Sequence, residues 1–252
     1  MKVHIITLGF DNTVRIISTI GRFFVETDTE GLDLEFYVVD AKYPYPNVGA
    51  NTLNLCQYLW QSTTISPFPV HPRLLVLPKN FGQTGNYNYL RDKFEYDDND
   101  VIVFYDTDVR PAKSSWLKDK LRVLSSPETA FVTMNCSITD NALKHQGQEV
   151  SVNGVPCRAV NWPGGWPSGA WKGSFFRNGL IVTHEFYGGT EYNIMIAWRK
   201  MGMQGYMMTE HDDLRALEGL DPCYQEWKQS VIAVAGHQQS FEDFLKERKL
   251  IL

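Results

Sequence analysis

The sequence predicts an α/β protein with a mainly parallel central sheet covered by helices on both faces. Short apolar runs recur at Val3 to Leu8, Leu34 to Val39, Arg73 to Leu77 and Val101 to Tyr105. Segments of helical spacing fall between these runs, and strands that alternate with helices pair in parallel. Carboxylates stand directly beyond two of the runs, at Asp40 and at Asp106 and Asp108, where open α/β sheets hold their ligands.

The elements follow in order. Val3 to Leu8 reads as the first strand, and Thr13 to Phe24 as a helix with Val14, Ile17, Ile20/Gly21 and Phe24 on one face. Leu34 to Val39 is the second strand. Asn51 to Trp60 places Leu53, Cys56, Leu59 and Trp60 on a second helix face. Arg73 to Leu77 and Val101 to Tyr105 are further strands, with a helix from about Thr84 to Phe94 between them. After Pro111, Leu117, Leu121 and Leu124 mark a helix that leads to a strand at Ala130 to Met134. From Asn141 to Gly173 the chain is rich in Gly, Pro and Trp, which predicts long loops that carry a site. A helix from about Glu191 to Met201 stops at Gly202. The tail from Leu214 reads as helical, with Ser240 and Asp243 as the capping start of its last helix.

Composition bounds the function. A chain of 252 residues, 43% hydrophobic and 13% aromatic, buries a substantial core. A net charge of -5 argues against a broad polyanion-binding surface. Cys56, Cys136, Cys157 and Cys223 lie far apart with no CxxC pair, which suggests neither a zinc site nor a disulfide framework. Reduced thiols and a cytoplasmic location are the expectation. No stretch approaches the roughly 20 apolar residues that span a bilayer, and the opening MKVHIITLGF reads as a strand and not as a leader.

In VIVFYDTDVRP, Asp106 and Asp108 are two apart on extended backbone, so both carboxylates point to one side and can face one divalent ion. Hard oxygen ligands favour magnesium, manganese or calcium, and a diphosphate partner favours the first two. A solvated turn after a strand has the same appearance. Upstream, Asn80-Phe-Gly-Gln-Thr-Gly-Asn-Tyr-Asn88 spaces its glycines for close backbone approach and a helix start near phosphate, or for an ordinary loop and cap.

Together these segments resemble the family 2 class of inverting glycosyltransferases, which have the GT-A fold. A DxD follows such a strand there, and Asn80, Gly82, Gly85 and Asn88 match an N-x-G-x-x-G-x-x-N element near the donor. The resemblance implies that Asp40 holds the base or ribose of the nucleotide, in chemistry that suits a carboxylate, and that Asp106 touches donor and metal while Asp108 holds the metal. Ala41-Lys42 depart from the family pattern after Asp40.

In the second half, GGTEYNIMIAWRKMG resembles the family's ED-x-D-L-x-x-R segment, with Thr190 and Asn193 replacing two acids and Glu191 on the catalytic one. The resemblance makes Glu191 the base for the acceptor hydroxyl; Thr190 and Glu191 also suit a helix start. His211, in MMTEHDD, matches a histidine that completes the metal site, with Asp212 and Asp213 as neighbouring candidates. In NWPGGWPSGAWKGSFFRNG, Trp162, Trp166 and Trp171 with Gly164 and Gly165 suggest an acceptor platform, since a sugar or nucleobase stacks on indole; tryptophans also fill cores under loops. Ser168 to Ala170 resemble the family's loop before an F-x-R strand, here Phe175-Phe176-Arg177.

The resemblance therefore implies a GT-A domain over 1-212, with a donor-binding half to 109 and an acceptor and catalytic half after it, then a helical tail over 213-252. It implies a Mn2+ or Mg2+ cofactor and a nucleotide-sugar donor, such as a UDP-sugar. The acceptor is left among glycan, lipid-linked sugar, protein and modified nucleobase. A retaining transferase, a nucleotidyltransferase and a non-catalytic nucleotide-sugar-binding module share the same features.

Overall fold

The computed structural model describes residues 1–9, 13–40, 72–79, 81–136, 143–161, 168–179, 190–214, 226–227, 230 and 241–249. Their strands are β1 (Val3–Gly9), β2 (Leu34–Asp40), β3 (Arg73–Val76), β4 (Val101–Phe104), β5 (Thr129–Cys136), β6 (Glu149–Val152), β7 (Val155–Ala159), β8 (Ala170–Lys172) and β9 (Gln204–Asp213). Their helices are α1 (Thr13–Glu26), α2 (Gly82–Lys93), α3 (Trp116–Leu124), α4 (Gly173–Gly179), α5 (Thr190–Lys200) and α6 (Phe241–Glu247). The helix expected over Asn51 to Trp60 lies outside the described residues, as do Cys56, Cys223 and Ser240. Cys136 and Cys157 are buried free thiols.

All nine strands belong to one sheet, in the order β3-β2-β1-β4-β8-β5-β9-β7-β6. The first four run parallel, as the βα alternation predicts. Beyond them the sheet is mixed: β8 pairs antiparallel with both β4 and β5, β5 pairs parallel with β9, and the β6–β7 hairpin lies antiparallel on β9.

Alternation along each strand builds two cores. Ile5, Phe36, Val38 and Val103 face one side, where they pack with Ile16, Ile20 and Phe23 of α1 and Trp116, Leu117 and Leu121 of α3. Ile6, Tyr37, Val39 and Phe104 face the other, against Tyr87 and Leu90 of α2, Phe175 and Phe176 of α4 and Ile194 and Trp198 of α5. Of the face the sequence pattern indicated, Ile20 is buried and Phe24 is partly buried against the same cluster, and Ile16 and Phe23 join them in the core.

The stretch from Asn141 to Gly173 is less loop-like than its composition predicts. It contains the β6–β7 hairpin, which turns at Asn153 (φ 49°) and Gly154 (φ 79°). Asn-Gly is the favoured pair for a two-residue hairpin turn because both positions need positive φ. Phe175-Phe176-Arg177 lies in α4 and not in a strand. Gly173 permits this helix to start where it does, since a Cβ there would come within 2.1 Å of the Asp97 carbonyl oxygen.

At the amino edge of the sheet, Asp100 accepts the backbone N–H groups of Lys2 (2.8 Å) and Asp97 (2.9 Å) and lies 3.2 Å from Nε2 of His4. This network ties together the starts of β1 and β4. No helix among the described residues is long and apolar enough to cross a membrane.

Candidate functional site at the carboxyl edge of the sheet

The carboxyl edge gathers the first group of expected site residues. Asp40 is the last residue of β2, opposite Gly9 of β1, and is 3% exposed. Its carbonyl accepts the Leu77 N–H at 3.0 Å as the chain leaves β3. On the other side of β1, Tyr105 continues β4 by donating its N–H to the Ile6 carbonyl (2.9 Å) while its own carbonyl accepts Thr7 Oγ1 (2.9 Å). Asp106 begins a tight turn in which its carbonyl accepts the Val109 N–H at 3.1 Å.

α1 fixes this turn from below. Thr19 Oγ1 donates to the Thr107 carbonyl at 2.6 Å, and Arg22 reaches the same oxygen at 3.4 Å. Asp106, Thr107 and Asp108 are half-buried, whereas the flanking Tyr105 and Val109 are buried. The two carboxylates thus sit on a turn and not on the extended backbone that the sequence predicts, because the chain bends directly after Tyr105, and packed elements hold that turn.

α2 starts at Gly82, just beyond β3, so its N-terminus belongs to the same edge. The Phe81 N–H donates to Asn86 Oδ1 at 2.9 Å. Gly85 has a packing reason for being glycine: a Cβ there would lie 2.7 Å from Cβ of Phe81, whose ring stacks on Tyr89. Asn88 is buried within α2, and Asn80 lies outside the described residues.

His211 comes from β9, in an irregular stretch where the register on β5 shifts between Met134 and Asn135. Its Nε2 lies 2.9 Å from Oδ2 of Asp119 on α3, while its Nδ1 is buried without a hydrogen-bond partner. Burial pushes the imidazole pKa down, and Asp119 opposes that shift. With Nε2–H donated to Asp119, Nδ1 keeps a lone pair, which is the carboxylate–histidine arrangement of metal-ligating imidazoles. The two neighbouring acids are engaged elsewhere. Asp212 Oδ1 accepts from Asn135 at 2.7 Å, and Asp213 Oδ1 accepts the Arg110 N–H at 2.7 Å. By chemistry, two strand-end carboxylates and an imidazole with a buried lone pair suit Mn2+ or Mg2+. As the chain stands, no three His, Cys, Asp or Glu side chains among the described residues converge closely enough to hold an ion.

The remaining expected residues are distributed differently. Glu191 is in the first turn of α5, with its side chain outside the described residues, as are Gly165 and Trp166 altogether. Trp171, expected on an acceptor platform, is 3% exposed in β8. Its ring packs against Phe104 (5.0 Å), Phe131 (5.3 Å), Tyr87 (6.1 Å) and Phe176 (6.1 Å). Those neighbours cover the indole, so Trp171 is a core residue. Asp119 and Lys120 escaped the sequence reading. The available signal was Lys120 itself, a charge on the apolar stripe of Leu117, Leu121 and Leu124.

No protein-family model and no curated protein sequence matches the chain. Solved structures do. A mannosyltransferase, PcManGT from Pyrobaculum calidifontis, in complex with GDP-Man and Mn2+, superposes with a TM-score of 0.62 at 14% identity over 91% of this chain and 61% of its own. GalNAc-T7 with UDP, GalNAc and Mn2+ gives 0.59 at 12% identity over 99% and 54%. S. aureus TarS 1-349 gives 0.53 at 14% identity over 83% and 60%. The fold is GT-A. The chain spans about six-tenths of the length of the PcManGT and TarS chains. Within the GT-A fold, the parallel β3-β2-β1-β4 half carries Asp40, Asp106 and Asp108 on one edge, and β9 carries His211.

Proposed function

We propose that this chain is a metal-dependent glycosyltransferase that moves a sugar from a nucleotide-sugar donor to an acceptor hydroxyl, with inversion by a single displacement. The observation that carries the reading is the carboxyl edge of a GT-A sheet, where Asp40 ends β2, the Asp106–Asp108 turn follows β4 on the far side of β1, and α2 starts beyond β3. Structures of similar fold hold GDP-Man with Mn2+, UDP with GalNAc and Mn2+, or, in TarS, UDP-GlcNAc, which supports a nucleotide-sugar donor.

In this reading Asp40 accepts hydrogen bonds from the uracil imide or the ribose hydroxyls. Asp106 and Asp108 would hold the cation, and His211, anchored to Asp119 at Nε2, would offer its Nδ1 lone pair once donor binding draws the three side chains together. Held there, Mn2+ or Mg2+ would supply positive charge that neutralises the departing diphosphate. α1 keeps the two carboxylates in place through Thr107. Glu191 accepts the acceptor's proton as the hydroxyl attacks the anomeric carbon.

The test is a panel of UDP- and GDP-sugars with Mn2+ or Mg2+, read as nucleoside diphosphate release and as product configuration by NMR. Release that stops in excess chelator and in Asp108→Asn, with an inverted product once an acceptor is supplied, is the expected result. Release of pyrophosphate would make the chain a nucleotidyltransferase. Donor binding without hydrolysis or transfer would make it a binding module, and retained configuration would overturn the single displacement.

A further inference from the structure

Lys120 is fully buried, an unusual state for lysine. It projects from α3, with its ammonium 4.9 Å from the centre of the Trp116 ring, and donates a hydrogen bond to the carbonyl of Ser168. Trp116 in turn stacks on Tyr105, at 5.6 Å and 23°. Nothing in the proposed chemistry uses Lys120.

Ser168 is equally buried and has φ 51°, a left-handed conformation that a residue with a Cβ adopts only when its surroundings hold it there. The next residue has no room for a side chain, because a Cβ on Gly169 would come within 2.6 Å of Cε2 of Phe131. The Gly169 carbonyl accepts the Phe104 N–H at 2.9 Å, and Ala170 pairs with Val103. Asp106 is two residues beyond Phe104. A continuous path therefore runs from the ammonium of Lys120 through Ser168, Gly169 and Phe104 to the turn of Asp106 and Asp108. In sequence, Ser168 also closes the Gly- and Trp-rich segment 162–167.

We propose that Lys120 is a positioning residue for sugar transfer: by gripping the Ser168 carbonyl it holds Ser168 left-handed and fixes the Gly169–Phe104 contact beside the Asp106–Asp108 turn. The inference rests on the transferase reading above. The charge has partners at longer range, since the carboxylates of Asp106 and Asp213 oppose the strong downward push of burial on the ammonium pKa. A lysine retained at that cost in a wholly apolar stripe has a task that methionine, of similar length, cannot do.

The experiment compares the wild-type chain, Lys120→Met and Lys120→Met/Ser168→Gly for melting temperature, donor KM and transfer kcat per folded molecule. Lys120→Met is expected to fold and to lose about ten- to a hundredfold in kcat, the size of effect a small misplacement produces. Donor KM should change less, because the nucleoside contact at Asp40 is remote. Glycine is at ease at positive φ, so adding Ser168→Gly should return part of the lost rate. Wild-type kcat in Lys120→Met, or a loss that Ser168→Gly does not relieve, overturns the inference while leaving the transferase intact. If Lys120→Met does not fold, the double variant supplies the rate, and failure of both to fold assigns Lys120 to stability alone. A wild-type chain that neither hydrolyses nor transfers any nucleotide sugar removes the transferase reading and this inference with it.

Discussion

The Nε2 atom of His211 and the Oδ2 atom of Asp119 are 2.9 Å apart, and this pair ties the last residues of β9 to the first turn of α3. Asp119 is held in turn by Ser115 Oγ (3.0 Å) and Arg122 (3.3 Å). An imidazole anchored at one nitrogen can present the other in only one direction. Asp119→Ala is therefore expected to weaken Mn2+ binding in the presence of donor about ten- to a hundredfold. Calorimetry with the melting temperature as control measures it, and unchanged affinity in a folded variant would remove His211 from the metal set.

The same pair sets a pH dependence. Because burial lowers the His211 pKa, the folded chain binds fewer protons than the unfolded chain from about pH 6.5, the free value, down to the folded value. Stability from this group is full above that window and is lost as the pH falls through it. Urea unfolding at pH 7.5 and 5.5 should show a steeper loss for the wild-type chain than for His211→Gln. Equal slopes would mean that His211 charges as easily in the folded chain as outside it.

Asp40→Ala should weaken donor binding more than it slows the chemical step, because the end of β2 is separated from the Asp106 turn by the whole width of β1. Donor affinity measured with metal present decides this. An unchanged value would leave Asp40 as the buried end of a strand and nothing more.

Glu191→Gln should separate binding from chemistry. The amide preserves size at the start of α5 but cannot accept a proton, so transfer should fall roughly a hundredfold to ten-thousandfold while donor binding persists. Measuring rate and thermal stability on one preparation distinguishes this from a helix-capping role, which would lower stability and leave the folded fraction near normal.

Trp171→Ala is expected to cost about 3–5 kcal/mol of stability, the usual range for truncating a large buried aromatic. Chemical denaturation measures it. A stable variant that had lost only acceptor affinity would return Trp171 to the acceptor platform from which its packing removes it.

The residues that were legible in the sequence are those whose pattern is local. Short apolar runs such as Val3–Gly9 and Leu34–Asp40 bury both faces as parallel strands covered by helices, and an acid that ends such a run, as Asp40 does, therefore falls on the carboxyl edge. Gly202 ends α5 with φ 70°, as its place after the helical pattern indicates. The β6–β7 hairpin was also local, and its Asn153-Gly154 signal was outweighed by the Gly, Pro and Trp content around it. What local pattern cannot carry is pairing across the sheet. Trp171 reads as a loop residue until β8 is seen between β4 and β5, and the packing reason for Gly85 shows only when Phe81 is seen against it. Asp119 acquires meaning only from His211, 92 residues away.

β8 is three residues long, yet among the described strands it alone pairs with both β4 and β5. During synthesis, β1 to β4 can associate as soon as they leave the ribosome, and β5 follows within about thirty residues, but neither can complete its sheet edge until residues 170–172 emerge. The order of translation thus keeps the edges of β4 and β5 unpaired while more than thirty further residues are made, a period in which such edges invite wrong partners. Ribosome-bound chains arrested shortly before and shortly after release of β8 should differ in protease resistance, with β4 and β5 joined through β8 only in the longer ones, while β9 and the β6–β7 hairpin on it join later still.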